Sequence, residues 1–137
     1  MPQMADHLAR HAHADLFLDT FYYNAHTTAS DALWAGLPVL TMAGTTFASR
    51  VSASLLRAVG LPELVTDSPD AYEQMALALA RSPAALAALR ARLAQNRDTS
   101  PLFDTPLFAR RIESAFEAMW ARHRAGLRPD HLDISGR

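Results

Sequence analysis

Three short apolar runs, ADLFLDTF (residues 14–21), PVLTM (38–42) and ELVT (63–66), are separated by two segments of helical periodicity. This alternation constrains the fold more than any other feature, because strands joined through helices must lie parallel in one sheet. Apolar side chains at successive positions predict that the first run is a strand buried on both faces, ending at Asp19 and Thr20. Thr28 and Asp31 then fit a capping box, ALWAG supplies an apolar face, and Gly36 closes a helix of about two turns. Pro38 stops that helix and opens the second strand. Between Phe47 and Val59 a second helix is expected, with Val51, Leu55, Ala58 and Val59 inward and Gly60 at its end.

From Ser68 onward the composition shifts to alanine, leucine and arginine. DAYEQMALALARS and PAALAALRARLAQNR read as two further helices, with Pro83 at the start of the second. Arg90, Arg92 and Arg97 alternate with apolar residues at helical spacing, which reads as a solvated face rather than a nucleic-acid stripe. After the turn-rich SPLFDTPLF, a last amphipathic helix is expected to turn Phe108, Ile112, Phe116, Met119 and Trp120 inward. The reading divides the chain into an N-terminal segment (1–13), an α/β region with C-terminal helices (14–127) and a loosely ordered tail (128–137). Three strands are fewer than the five or six of a complete nucleotide-binding sheet, so the fold expected is a partial one, with further strands upstream.

Composition narrows the function classes. Thirteen basic residues, all arginine, face fourteen acidic ones, for a net charge of -1. No excess of positive charge advertises nucleic acid or an anionic membrane as partner. The chain has no cysteine, so disulfides and thiolate metal sites are excluded. No apolar run approaches the roughly 20 residues that span a bilayer, and the N-terminus lacks a signal-peptide core; the chain is read as soluble and cytoplasmic.

In an open parallel sheet, ligands sit beyond the carboxyl ends of the strands, where helix N-termini present unpaired N–H groups. The loop after LFLDT and the helix start at Thr28 occupy that place. Backbone amides, the Thr27 and Thr28 hydroxyls and the His26 imidazole would suit a diphosphate, and Asp31 could accept from a ribose hydroxyl. The same residues are also accounted for as an N-cap, its box partner and a loop histidine, and the pattern alone does not separate the two. No glycine-rich phosphate loop of either familiar spacing is present.

A longer resemblance does separate them. HLARHAHADLFLDT, NAHTTASDALWAGLPVLTMAGTTFASRVSASLL, SPLFDTPLF and AMWARHRAGLRPDHL together resemble the C-terminal part of the catalytic region of O-GlcNAc transferases. These are inverting nucleotide-sugar enzymes whose catalytic part follows tetratricopeptide repeats. The resemblance implies an α/β fold, a partial Rossmann-like parallel sheet forming the C-terminal half of a GT-B glycosyltransferase, with a helical C-terminal extension. It implies that the family's His-Thr-Thr, which binds the diphosphate of UDP-GlcNAc, falls on His26, Thr27 and Thr28. The family's ribose-contacting aspartate falls on Asp31, and its uracil-contacting H-x-x-R on His7 and Arg10. A lysine that family members carry three residues before that histidine is Met4 here. The lysine and glutamine that reach the phosphates from earlier strands, and the candidates for catalytic base, have no counterpart in this chain.

The implied reaction is attack by a Ser or Thr hydroxyl of an acceptor protein on the anomeric carbon of UDP-GlcNAc, with UDP leaving and no metal cofactor. The implied partners are the nucleotide sugar, the acceptor protein, and an upstream catalytic half with its repeats. His7 and His11 stand at i, i+4 but lack a third ligand and an H-E-x-x-H glutamate, so no metal is expected. Trp34 is expected in the core, Arg50 in solvent or in an ion pair, and Ser30 and Ser49 lack a nucleophile-elbow setting. Two other readings stay open: a nucleotide-binding module without catalysis, and a helical interaction domain on a relic sheet. From this chain alone no transferase activity is expected.

Overall fold

The computed structural model describes residues 3–134. It falls into two compact units, one ending at Leu102 and the other beginning at Phe103. The first holds helices α1 (Met4–Ala9), α2 (Thr27–Trp34), α3 (Val51–Ala58), α4 (Pro69–Ala80) and α5 (Pro83–Arg97), and strands β1 (Phe17–Leu18), β2 (Val39–Met42) and β3 (Val65–Thr66). The second is built on α6 (Thr105–Arg124). Met1, Pro2 and the last three residues of the expected tail lie outside the described residues.

All strand pairs are parallel, in the order β1-β2-β3. Phe17 registers with Val39 and Leu18 with Leu40, then Thr41 with Val65 and Met42 with Thr66. Helices α2, α3 and α4 each pack on β2. Val39, Leu40 and Thr41 are all fully buried, as a central strand covered on both faces requires. Around them close Ala29, Ala32 and Leu33 of α2, Ala53 and Leu56 of α3, Leu61, Leu64, and Leu93 of α5.

Local chemistry accounts for the boundaries. Gly36, at φ +86, takes the left-handed conformation that ends α2, and Leu37 N donates back to Ala32 O at 2.8 Å. Ser68 and Ser82 cap α4 and α5, accepting from Ala71 N and Ala85 N, with Pro69 and Pro83 at the first helical positions.

The structure corrects four expectations. Only Phe17 and Leu18 of the first run are strand, and Leu18 is 57% exposed; an edge strand leaves one side open, so apolar identity alone did not mean double burial. Helix α3 begins at Val51, after turns, and buries Ser52, Ala53 and Leu56; of the expected row Val59, just past its end, is fully buried and Val51, Leu55 and Ala58 are half-buried. The Ser52 hydroxyl is buried because it bonds to Ala25 O in the loop after β1. Trp34 is 44% exposed, with the Arg97 guanidinium over its ring at 5.3 Å, a cation–π contact instead of core packing. Arg90, Arg92 and Arg97 do form a solvated face, their side chains 37%, 45% and 40% exposed, with Arg90 bonded to Ala14 O and paired with Asp15, Arg92 with Glu63 and Arg97 with Asp98. In α6, Phe108, Phe116 and Trp120 are more than 60% exposed, and the helix buries no residue. Residues 127–134 have no regular structure, but Arg122 holds them through Arg128 O and Asp130. No described helix is long and apolar enough to cross a membrane.

Truncating Leu33 to Ala should cost about 2–5 kcal/mol, because it empties a closed site. Leu18→Ala should cost less than about 0.5 kcal/mol, as for an exposed residue. Urea unfolding of the two variants measures the contrast, and equal losses would contradict the exposure of Leu18.

Candidate functional site

The loop between β1 and α2 is fixed by a buried carboxylate. Asp19, 4% exposed, accepts at Oδ1 from Thr20 N at 2.9 Å and Ala25 N at 2.7 Å, and at Oδ2 from the Thr41 hydroxyl at 2.6 Å. Burying a carboxylate is costly unless hydrogen bonds replace its water; here three donors do so. Asp19 thereby ties the end of β1 to β2 and pins the loop six residues on. Thr66 extends the polar line, donating to Thr41 O at 3.0 Å.

Other bonds brace the same loop. Asn24, 1% exposed, donates its side-chain amide to Thr20 O at 2.8 Å and its backbone N to Ala48 O at 2.9 Å. Ser52 donates to Ala25 O at 2.7 Å. The loop after β2 is equally closed: Gly44 N donates to Ser49 O, and Thr46 N to Ser49 Oγ. A Cβ at Gly44 would meet Ser49 Oγ at 2.3 Å, so only glycine fits there. Tyr72, on α4, donates its hydroxyl to Asp19 O at 3.0 Å. Burial, with the negative charge of Asp19 adding to it, pushes the Tyr72 phenol above its ordinary 10.0.

This bracing delivers the chain to α2. The N-cap is His26, at φ -101 and ψ -90, with no side-chain cap bond. Thr28 is the second helical residue, not the cap, and Asp31 does not close a capping box. The sequence pattern suited either start, and the loop bonds to Asp19 and Ala48 set it two residues earlier. The first helical bond is Ser30 N to His26 O, so the amides of Thr27, Thr28 and Ala29 precede the helical ladder. Thr27 and Thr28 are exposed and His26 is half-buried. A cleft of about 400 Å³ opens beside them, lined by Asp19, Thr20, Tyr23, His26 and Thr28 among others. A larger cavity of about 620 Å³ lies along β3 and α4, but it sets Glu63 and Asp67 against Arg57 alone and offers an anion no excess of positive charge.

His7 Nε2 meets Asp31 Oδ2 at 3.2 Å, the two side chains 25% and 24% exposed. The structure thus brings the expected uracil and ribose contacts together, one turn along α2 from the Thr pair. Arg10 stands exposed on the turn that follows α1. The His7 and His11 rings touch edge to face at 5.5 Å; among the described residues no group of three or more His, Cys, Asp or Glu could hold a metal ion. Sequence reasoning missed Asp19, Tyr72 and the aromatic neighbours of His26. Of these only Asp19, an acid ending an apolar run, left a signal in the sequence.

Two variants test the bracing. Asp19→Ala leaves buried donors unpaired and should cost at least about 2 kcal/mol in a urea titration; a loss under 0.5 kcal/mol, the ordinary surface range, contradicts the clamp. Tyr72→Phe should cost about 1 kcal/mol at neutral pH. Because the phenol's pKa is raised on folding, its stabilisation is complete below pH 10 and is lost as pH climbs through the raised value. The variant should therefore lose stability less steeply above pH 10 than the parent, and parallel alkaline limbs would contradict the assignment.

Residues 2–112 match the model of glycosyl transferase family 41. The chain is 38% identical over 131 residues to the probable UDP-N-acetylglucosamine--peptide N-acetylglucosaminyltransferase SEC of Arabidopsis thaliana, covering 95% of this chain and 13% of that protein. It is 39% identical over 127 residues to the UDP-N-acetylglucosamine--peptide N-acetylglucosaminyltransferase of Caenorhabditis elegans, covering 93% of this chain and 11% of that one. A solved point mutant of the Thermobaculum terrenum O-GlcNAc transferase superposes with a TM-score of 0.81 at 39% identity, over 88% of this chain and 23% of that chain. The small parallel sheet with its helices is accordingly a fragment of the GT-B fold of that transferase, and the chain spans only about an eighth of the curated relatives' length. The chain belongs to glycosyl transferase family 41.

Proposed function

We propose that this chain is the C-terminal part of the catalytic region of an inverting transferase that moves GlcNAc from UDP-GlcNAc to Ser or Thr hydroxyls of proteins, and that it holds the UDP. The observation that carries this is the exposed first turn of α2, with His26, Thr27 and Thr28 beside a cleft at the carboxyl edge of a parallel sheet. Free amides and the positive end of the helix dipole favour a diphosphate there. Asp31, next to His7, is the ribose acceptor in this reading, and His7 with Arg10 the uracil contacts.

As the acceptor hydroxyl attacks, negative charge builds on the departing diphosphate. Donors already fixed in place stabilise that charge without reorganising, and losing one costs on the order of 2.7–4 kcal/mol of barrier. His26, Thr27 and Thr28 act in this scheme on the leaving group and not as acid or base. The catalytic base and the acceptor site belong to parts of the transferase beyond these residues.

The exposed apolar residues of α6 favour a second reading, a helical interaction module without nucleotide binding. Melting curves with UDP separate the two. At a hundred times its dissociation constant, UDP should add about 2.7 kcal/mol of stability, and Thr28→Val with Asp31→Ala should abolish most of that gain. A melting temperature unmoved by millimolar UDP would leave the interaction reading standing.

A further inference from the structure

The His26 imidazole is held on three sides by groups outside its own helix. The Tyr23 ring lies almost flat against it, centroids 4.8 Å apart and planes at 18°. Phe47, from the loop after β2, meets it edge-on at 6.1 Å and 88°. Its Nε2 stands 3.4 Å from Ala48 O, and a carbonyl can only accept, so this contact becomes a hydrogen bond only in a ring with the proton on Nε2. Tyr23 and Phe47 are 66% and 76% exposed. Rings this exposed add little to the core, and the contact the structure gives both of them is with His26.

We propose that Tyr23 is a positioning residue: its ring, with Phe47 and the Ala48 carbonyl, fixes the plane and tautomer of His26 so that Nδ1 faces the first turn of α2. An imidazole on two free torsions loses side-chain entropy when a ligand immobilises it; one already stacked has lost it on folding and binds without that cost. The fixed tautomer decides the chemistry as well. With the proton on Nε2, Nδ1 is the atom left for a nucleotide, as an acceptor from a hydroxyl or, once protonated, as a donor to a phosphate oxygen. The proposal rests on the diphosphate reading of this turn.

The full chain is titrated with UDP by calorimetry as wild type, Tyr23→Ala, Tyr23→Phe, His26→Ala and the Tyr23→Ala/His26→Ala pair. Stacking of this kind is worth roughly three- to tenfold in affinity, which Tyr23→Ala should lose and Tyr23→Phe should keep. The double variant should bind no worse than His26→Ala, since Tyr23 acts only through the imidazole. Because Tyr23 is exposed, Tyr23→Ala should melt as the wild type does. Imidazole nitrogen shifts of the UDP-free chain test positioning independently of binding: one Nε2–H tautomer in wild type and Tyr23→Phe, averaged nitrogens in Tyr23→Ala. Wild-type affinity in Tyr23→Ala, losses that add fully in the double variant, or averaged nitrogens in the wild type would each overturn the proposal. His26→Ala binding UDP as the wild type does would instead remove the diphosphate reading, with the tautomer result still standing on its own.

Discussion

The carboxylate of Asp19 is the interaction on which the loop leading into α2 depends. It is buried at the carboxyl end of β1, and all its bonds come from elements that must be held in register: Thr41 from β2, Thr20 and Ala25 from the loop. A buried charge with three donors tolerates few alternative arrangements, since each lost donor costs part of the solvation it replaced. The loop from Asp19 to Ala25 therefore has essentially one course, and it ends by placing His26 at the N-cap of α2. Tyr72 and Ser52 extend the same constraint to α4 and α3.

The helix start follows from that constraint rather than from its own cap. No side chain caps α2, which is unusual for a helix preceded by polar residues, because Ser, Thr, Asn or Asp normally supplies a bond to the first-turn amides. Here the amides of Thr27, Thr28 and Ala29 stay ahead of the helical ladder, and the stability an N-cap would contribute comes from the bracing behind the loop. A first turn with its donors uncommitted suits an anion. The companion loop from Gly44 to Ser49 braces the histidine, with Phe47 against His26 and the Ala48 carbonyl shared by Asn24 and His26.

Much of this organisation was legible in the sequence, and the exceptions have physical causes. The parallel β-α-β-α-β order followed from alternating apolar runs and helical periods, and the helix ends at Gly36 and the start at Pro83 from backbone chemistry that few other residues share. The placement of His26, Thr27 and Thr28 at a helix start beyond a strand was likewise readable. The cap itself was not: Thr28-x-x-Asp31 satisfies the box pattern, yet tertiary bonds to residues more than twenty positions away decide where the helix begins. Nor could apolar periodicity give the whole inner face of α3, where the polar Ser52 is buried through its bond to Ala25 O. The α6 row of Phe108, Ile112, Phe116, Met119 and Trp120 shows the converse. Its spacing specifies an amphipathic helix correctly, but amphipathicity names a face and not what covers it.

The central claim is that the first turn of α2 receives the phosphates of a nucleotide. Following backbone amide shifts of the labelled chain during a UDP titration tests it most directly. The account predicts that the largest changes fall on Thr27, Thr28 and Ala29, saturating together with those of His26. Shifts that leave this turn unmoved while UDP binds, or that gather instead around Arg57 and Gln74 in the larger cavity, would contradict it.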